Sequence, residues 1–475
     1  MKRGVLAAVL CSLTLCTCVA QAETEGEYTY TIKGNGTVSI TEFDWEKLEG
    51  DIYVPDMLGG YHVTAIGEEA FSNIWFWFYG EPVIVTLPSS IKTIGERAFM
   101  NEQVASINIP ASVQQIGDGA FAGCPMTEFV LEPGNTVYAT IDGALYNKTT
   151  KTLVAWPNEK DKGTIPDGIV EIGNYALYKI MDKEWINLDT FIASTVERIG
   201  DYALESYEHG KNWRMKAASI GKNVKIIGKC AFRHSAIRAL KKEENIVIGN
   251  ENTVIDDEAF EDVSFSGGIT IKAQRIGDKA FAEATVSDEC NMILDDGVTE
   301  VGNSAFSSAR NLIIGKDSNI EKVGERAFEK MNLACNDGNV FVTPRKLKNI
   351  ENYAFSEAFV RSSSVFDRET KCKRIKVSEG TERIGDYAFE KNQYTESVIL
   401  PSTLTEIGEG AFQECPALTS ISIPSSVKKI GDGAFDRVTV TLEVEQNSYA
   451  ALWASENGYK YRYQGVTEDT SWLNP

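Results

Sequence analysis

Ile421-Ser422-Ile423-Pro424-Ser425-Ser426-Val427, followed by Ile430-Gly431-Asp432-Gly433-Ala434-Phe435, is a phrase that the chain writes many times over. The copy before it runs from Leu400-Pro401-Ser402-Thr403-Leu404 through Ile407-Gly408-Glu409-Gly410-Ala411-Phe412 to Cys415. The offset is 23 residues, since 430 − 407 = 23. Leu418, Ile421 and Ile423 alternate with polar residues, which predicts a strand with one buried face. Pro424 ends that strand because it has no N–H for a ladder. Val427 and Ile430 turn inward again, and Gly431 is expected to supply a positive φ at the bend. Ala434 suits a tight inner corner, and Phe435 is large enough to fill the space between successive coils. One such unit cannot hide its apolar face, whereas stacked neighbours can, so the phrase predicts a solenoid.

Ile/Val-Gly-x-x-Ala-Phe, with one position relaxed, recurs fourteen times, starting at Ile66, Ile94, Ile116, Ile172, Ile199, Ile227, Ile255, Ile276, Val301, Val323, Ile350, Ile384, Ile407 and Ile430. Most starts lie 21 to 28 residues apart, with gaps of 34 after Ile350 and 56 after Ile116. That spacing is within the leucine-rich-repeat range. Asp256 and Glu351 replace the glycine, and Leu177 and Leu204 replace the phenylalanine.

The units Ile109-Pro110-Ala111-Ser112-Val113 to Ile116-Gly117-Asp118-Gly119-Ala120-Phe121 and Cys124, with their counterparts at 400–435, resemble the BspA-like leucine-rich repeats of bacterial and protozoan surface proteins. The resemblance spans roughly residues 27–463. It implies a secreted or surface-displayed binding protein of the adhesin kind, and its motif is one of packing, with no catalytic residue to carry over. The expected fold is a leucine-rich-repeat solenoid, β-dominated, with a parallel sheet along one face and short turns or helical segments on the other. Fourteen coils about 4.8 Å apart would give a sheet on the order of 65 Å long.

Met1–Ala22 has Lys2 and Arg3, an apolar run from Val5 to Leu15 and Ala20-Gln21-Ala22, the layout of a signal peptide at 1–22. Cys16 and Cys18 fit a lipidation box poorly, and no stretch is long enough for a transmembrane segment. The formal charge of −21 would become −23 once Lys2 and Arg3 are removed. That surface should repel nucleic acid and anionic lipid. Cys124, Cys230, Cys290, Cys335, Cys372 and Cys415 would remain. Cys124 and Cys415 are too far apart along a solenoid to pair with each other, and a small buried residue after the Phe is the expected role. His62, His209 and His234 are isolated and there is no CxxC, so neither a metal nor a cofactor is expected.

The N-terminal cap and first coil are expected at 23–65, with a hairpin from Tyr28 to Thr41 turning at Asn35-Gly36. The array is expected at 66–435, with a hairpin inserted at about 134–160 around Asn147–Lys151 as structural decoration. A C-terminal cap at 436–465 would comprise a strand through Val440 and Leu442, a helix over Ser448–Asn457 with Tyr449, Leu452 and Trp453 on one face, and a strand through Tyr461. Residues 466–475 form a tail. Insertions at Lys183–Trp185, Tyr207–Trp213 and Lys241–Glu244 would project as solvated loops, and Arg361–Ser364 would be a long mobile one. Lys371–Arg374 is the most basic local patch.

Trp75, Phe76, Trp77 and Tyr79 form part of an aromatic run and are the candidate binding surface, against the alternative that the long coil buries them. The function expected is non-catalytic binding of extracellular proteins or glycans by a monomer. A structural envelope or matrix component is the alternative. A carbohydrate-active enzyme is less favoured, because no pair of the abundant carboxylates stands out.

Overall fold

The structure, a computed structural model, describes residues 22–72, 81–160, 163–180, 186–206, 215–241, 244–359 and 372–465. All but Ala22 of the signal peptide expected at 1–22, the insertions at 183–185 and 207–213, the Arg361–Ser364 loop and the 466–475 tail lie outside the described residues.

The phrase folds as one coil of a β-solenoid. Its motif Ile or Val and the residue before it form a two-residue strand that pairs in parallel with the same step of the next coil, and the glycine follows the strand. Eight strands join in parallel from Thr152–Ala155 to Lys322–Val323, in a ten-stranded sheet whose first two strands are antiparallel, and four more join Asn349–Ile350 to Lys429–Ile430. A second row of strands covers the other side. In the C-terminal half it has six, from Val340–Val342 through Ser420–Ile423 to Tyr461–Tyr463.

Phenylalanine fills the axis. Phe232, Phe260, Phe281, Phe306, Phe328, Phe355, Phe389, Phe412 and Phe435 stack in an unbroken column with centroids 5.0–5.8 Å apart. Each buried ring contributes about 1.5–3 kcal/mol by leaving water, with about 0.5–1.5 kcal/mol more per stacked pair. The backbone follows the same rhythm: the Phe N–H donates to the next coil's Ala carbonyl, as in Phe306 to Ala327 at 2.8 Å and Phe389 to Ala411 at 2.9 Å.

The motif glycine has a different role from the one expected. Gly431 does not adopt positive φ, and neither does any other Ile-Gly glycine of the motif. The left-handed residue stands two places later: Arg97, Tyr175, Tyr202, Lys279, Arg326 and Tyr387 have φ of 50–58°, while Gly410 has 55° and Gly433 62°. Glycine is required at the first position because the neighbouring backbone lies against it. A Cβ on Gly95 would sit 2.5 Å from the carbonyl carbon of Gly67, and one on Gly431 would sit 2.3 Å from the nitrogen of Glu409. At Asp256, which lacks this glycine, the ladder bond to Ile227 persists at 2.9 Å.

The residue after the glycine forms a second ladder, which the sequence reading missed. Asn174, Asp201, Asp257, Asp278, Asn303, Asn352 and Asp386 each accept a backbone N–H from the next coil, at 2.7–3.1 Å. The residue three places after the Phe donates back to the preceding coil's Phe or Leu carbonyl: Cys124 to Phe99, Ser235 to Leu204, Asn392 to Phe355 and Cys415 to Phe389. Cys124 and Cys415 are thus buried donors, in line with their expected role. Cys335 and Cys372 form a disulfide with Cα atoms 5.5 Å apart.

At the N-terminus, Tyr28–Ile32 and Thr37–Phe43 form the expected hairpin, and Thr37–Phe43 pairs in parallel with Tyr61–Ile66. Phe43 stacks on Phe71 at 4.9 Å and begins a separate N-terminal stack that continues through Phe99 to Phe121. At the other end, strand Thr441–Val444, helix Tyr449–Glu456 and strand Tyr461–Tyr463 follow the last coil. Ser448 Oγ caps the helix by accepting from the Ala451 N–H. The helix turns Ala450, Ala451, Trp453 and Ala454 inward, whereas Leu452 is 58 % exposed, so the expected Tyr449/Leu452/Trp453 face is corrected.

The 56-residue gap holds three antiparallel strands where two were expected: Tyr138–Ile141, Ala144–Asn147 and Thr152–Ala155. The missed turn is Asp142-Gly143, both with positive φ as a tight primed turn requires. This insertion belongs to the array. Thr152–Leu153 pairs in parallel with Glu171–Ile172, and the Trp156 N–H donates to the Ala176 carbonyl as a motif Phe would. The hydrophobic core divides here: Tyr138, Leu145 and Ala155 pack with the N-terminal coils, and Ala144, Tyr146, Leu153 and Trp156 with the rest.

Candidate functional site

Along the strand face the residue just before the Ile is charged in several coils, with opposite signs facing each other on some successive ones. Arg198 donates to Glu171 at 3.0 Å, Lys322 to Glu300 at 2.7 Å and Lys429 to Glu406 at 2.7 Å. Exposed pairs of this kind contribute about 0–1 kcal/mol each. They space charge along the face more than they hold it together.

The row breaks once in the C-terminal half. Lys322–Val323 ends the ten-stranded sheet and Asn349–Ile350 begins the four-stranded one, with no pairing between them. The Phe edge stays closed, because the Phe328 N–H donates to Ala354 at 2.9 Å. The two coils are therefore joined at the Phe edge but by no ladder between these strands, at the position where Glu351 replaces the motif glycine. Here lies a cleft of about 950 Å³, lined on one side by Arg275, Glu300 and Lys322 and on the other by Asn349, Glu351 and the turn Arg345–Lys348.

Its lining carries five basic side chains (Arg275, Lys322, Arg345, Lys346, Lys348) and four acidic ones (Asp278, Glu300, Glu321, Glu351), so 5 − 4 = +1. On a chain of net charge −21 this is a local reversal. Lys346 pairs with Glu321 at 3.0 Å and Arg345 with Asp317. The sequence signal was present as Arg345-Lys346-x-Lys348 beside a missing glycine, but only the broken ladder turns it into a concave surface.

The aromatic candidates Trp75, Phe76, Trp77 and Tyr79 lie outside the described residues. In the basic patch, Lys373 pairs with Glu396 at 2.8 Å, while Arg374 and Lys376 project from the outer sheet. His62 and His234 each face one aspartate, Asp56 at 3.0 Å and Asp262 at 3.3 Å, in separate places. Among the described residues no group of three His, Cys, Asp or Glu converges as a metal site. No helix among them is long and apolar enough to cross a membrane.

Burial displaces the pKa values of several ionisable groups. Burial pushes the Cys415 thiol up to about 12 and the Lys179 ammonium down to about 8. Burial also raises the Glu205 carboxyl, against the opposing pull of Arg233, which donates to it at 2.8 Å.

The family model described as the BspA type leucine rich repeat region matches residues 64–160, 158–264, 239–361 and 360–449. The chain belongs to the BspA-type leucine-rich-repeat family. No curated protein matches it. Among solved structures, a leucine-rich repeat protein from Bacteroides ovatus is similar at 19 % identity and a TM-score of 0.50, over 93 % of this chain and 99 % of that one. A leucine rich cell surface protein from Faecalibacterium prausnitzii shares 16 % identity over 95 % and 97 % of the two chains, with a TM-score of 0.34. The pneumococcal vaccine antigen PcpA shares 13 % over 94 % and 100 %, with a TM-score of 0.28. The Bacteroides ovatus likeness is one of fold. In BspA-type terms, the break after Val323 is one of the strand ladder, since the family match over 239–361 runs across it.

Proposed function

We propose that this BspA-type protein is a non-catalytic extracellular binding module, secreted or held at the cell surface, that recognises large partners through its strand face. The observation that carries the reading is the break between Val323 and Ile350. It places a cleft of about 950 Å³ with a +1 lining on a long, ordered and otherwise acidic surface. An acidic segment of a protein, or an acidic glycan, would be drawn there by charge, and the flanking coils would supply the remaining area. The Cys335–Cys372 disulfide supports an oxidising, extracytoplasmic setting. The protein acts as a monomer in this reading, and the aromatic run Trp75–Tyr79 is a second contact region.

The test is surface-plasmon binding of the chain to host extracellular-matrix proteins and mucus glycans, beside the double variant Arg345→Glu/Lys348→Glu. At least one ligand class should bind, and the variant should slow its association and reduce the salt dependence. Binding of equal strength by both proteins, or no binding of any ligand by the parent, sinks the proposal.

A further inference from the structure

Two left-handed turn residues occupy the same column, two places after the Phe or Leu of their coils: Asn101 after Phe99 and Lys179 after Leu177, with φ of 63° and 54°. Between them the column passes Gly123, which stands two places after Phe121. Because Gly123 has no side chain, the Lys179 side chain reaches past it to the Asn101 carboxamide, with Nζ 2.9 Å from Oδ1. A Cβ on Gly123 would itself lie 2.5 Å from that oxygen. The two partners are 78 residues apart and meet across the seam where the inserted strands divide the core. At this seam Gln115–Ile116 pairs only with the coil before it, so the parallel ladder is cut.

Lys179 is 8 % exposed, a rare degree of burial for lysine, and its Nζ also lies 4.8 Å from the centre of the Tyr178 ring. Burial holds its ammonium at about 8, so about a tenth of it is the neutral, nucleophilic amine at pH 7. Glu205 is 7 % exposed and acts on this amine electrostatically. The hydrogen bond from Nζ to Oδ1 holds a desolvated amine beside the carboxamide whose carbon it would attack.

We propose that Lys179 and Asn101 are a covalent cross-linking site, at which the lysine amine displaces ammonia from the asparagine side chain and staples the seam. The Lys179 nitrogen bonds to Asn101 Cγ and the Cγ–Nδ2 bond breaks. Nδ2 leaves as ammonia, carrying the proton that the amine gives up. Atoms and charge balance without an oxidant, metal or cofactor. The product is a secondary amide that joins the N-terminal coils to the rest of the array where hydrogen-bonded strands do not.

The experiment is mass spectrometry of the purified full chain, intact and after proteolysis. The expected result is a mass one ammonia below that of the sequence, with Lys179 and Asn101 recovered in a single branched peptide and Lys179 resistant to trypsin. Lys179→Arg should restore the full mass. Asn101→Asp should form the same amide with loss of water. Separate linear peptides carrying intact Lys179 and Asn101 from the parent chain overturn the proposal. So does an ammonia loss that persists in Lys179→Arg, which would mark a cyclic imide at Asn101 alone. The parent measurement is decisive even if neither variant folds.

Discussion

Gly408→Ala is a one-carbon perturbation whose sign depends on what the motif glycine is for. If its purpose were a positive φ at the bend, the cost would be local strain. The structure makes it a matter of clearance. The added Cβ would lie 2.5 Å from the Gly385 carbonyl carbon and 2.6 Å from the Asp386 nitrogen. Ordinary contact begins near 3.4 Å, so the two coils must separate by up to 3.4 − 2.5 = 0.9 Å. Overpacking of this kind costs about 1–3 kcal/mol, and stiffening the unfolded chain returns about 0.4–1 kcal/mol. The net expectation is a destabilisation of about 1–2 kcal/mol. The persistence of the ladder at Asp256 argues that the coils adjust without unravelling. Gly34 is the control, because its backbone is not left-handed and nothing lies within 4 Å of its missing Cβ. Gly34→Ala should be neutral or stabilising by up to about 1 kcal/mol. The assay is urea unfolding together with hydrogen exchange at the Gly408 and Gly431 amides, which donate to Ile384 and Ile407 at 2.8 Å. Faster exchange confined to these coils is expected, since each coil touches only its neighbours. A Gly408→Ala chain as stable as its parent would refute the clearance argument.

Opening the Cys335–Cys372 bond, whose partners are 37 residues apart, should cost about 4 kcal/mol by loop-closure entropy, read as a lower urea midpoint in reductant that Cys335→Ser/Cys372→Ser reproduces. Asp386→Ala leaves the Glu409 N–H without its 2.9 Å acceptor and, because the site is open to water, should destabilise by about 0.5–1.5 kcal/mol, with faster exchange of that amide as the local signature. Arg462 holds the Glu443 carboxyl below its ordinary range, so this contribution is present above the unfolded carboxylate pKa and is lost as pH falls through the folded value. The pair is partly exposed, so the loss should stay below about 1 kcal/mol and show as fraying of Tyr461–Tyr463, with Glu443→Gln removing the pH dependence.

The sequence alone determined the solenoid, its terminal caps and the column of rings, because each depends on one residue type recurring at a fixed step. Ile for the strand, Ala for the corner and Phe for the axis are visible in any copy. What only the tertiary structure decided is how one coil lies on the next. The clearance at Gly95 or Gly408, the Asn and Asp oxygens bonded to the following coil, and the opening between Val323 and Ile350 all depend on distances between residues 20 or more apart. So does the meeting of Lys179 with Asn101 across 78 residues. A repeat motif records what each unit must bury, whereas gaps and contacts between units arise from stacking and have no residue pattern of their own.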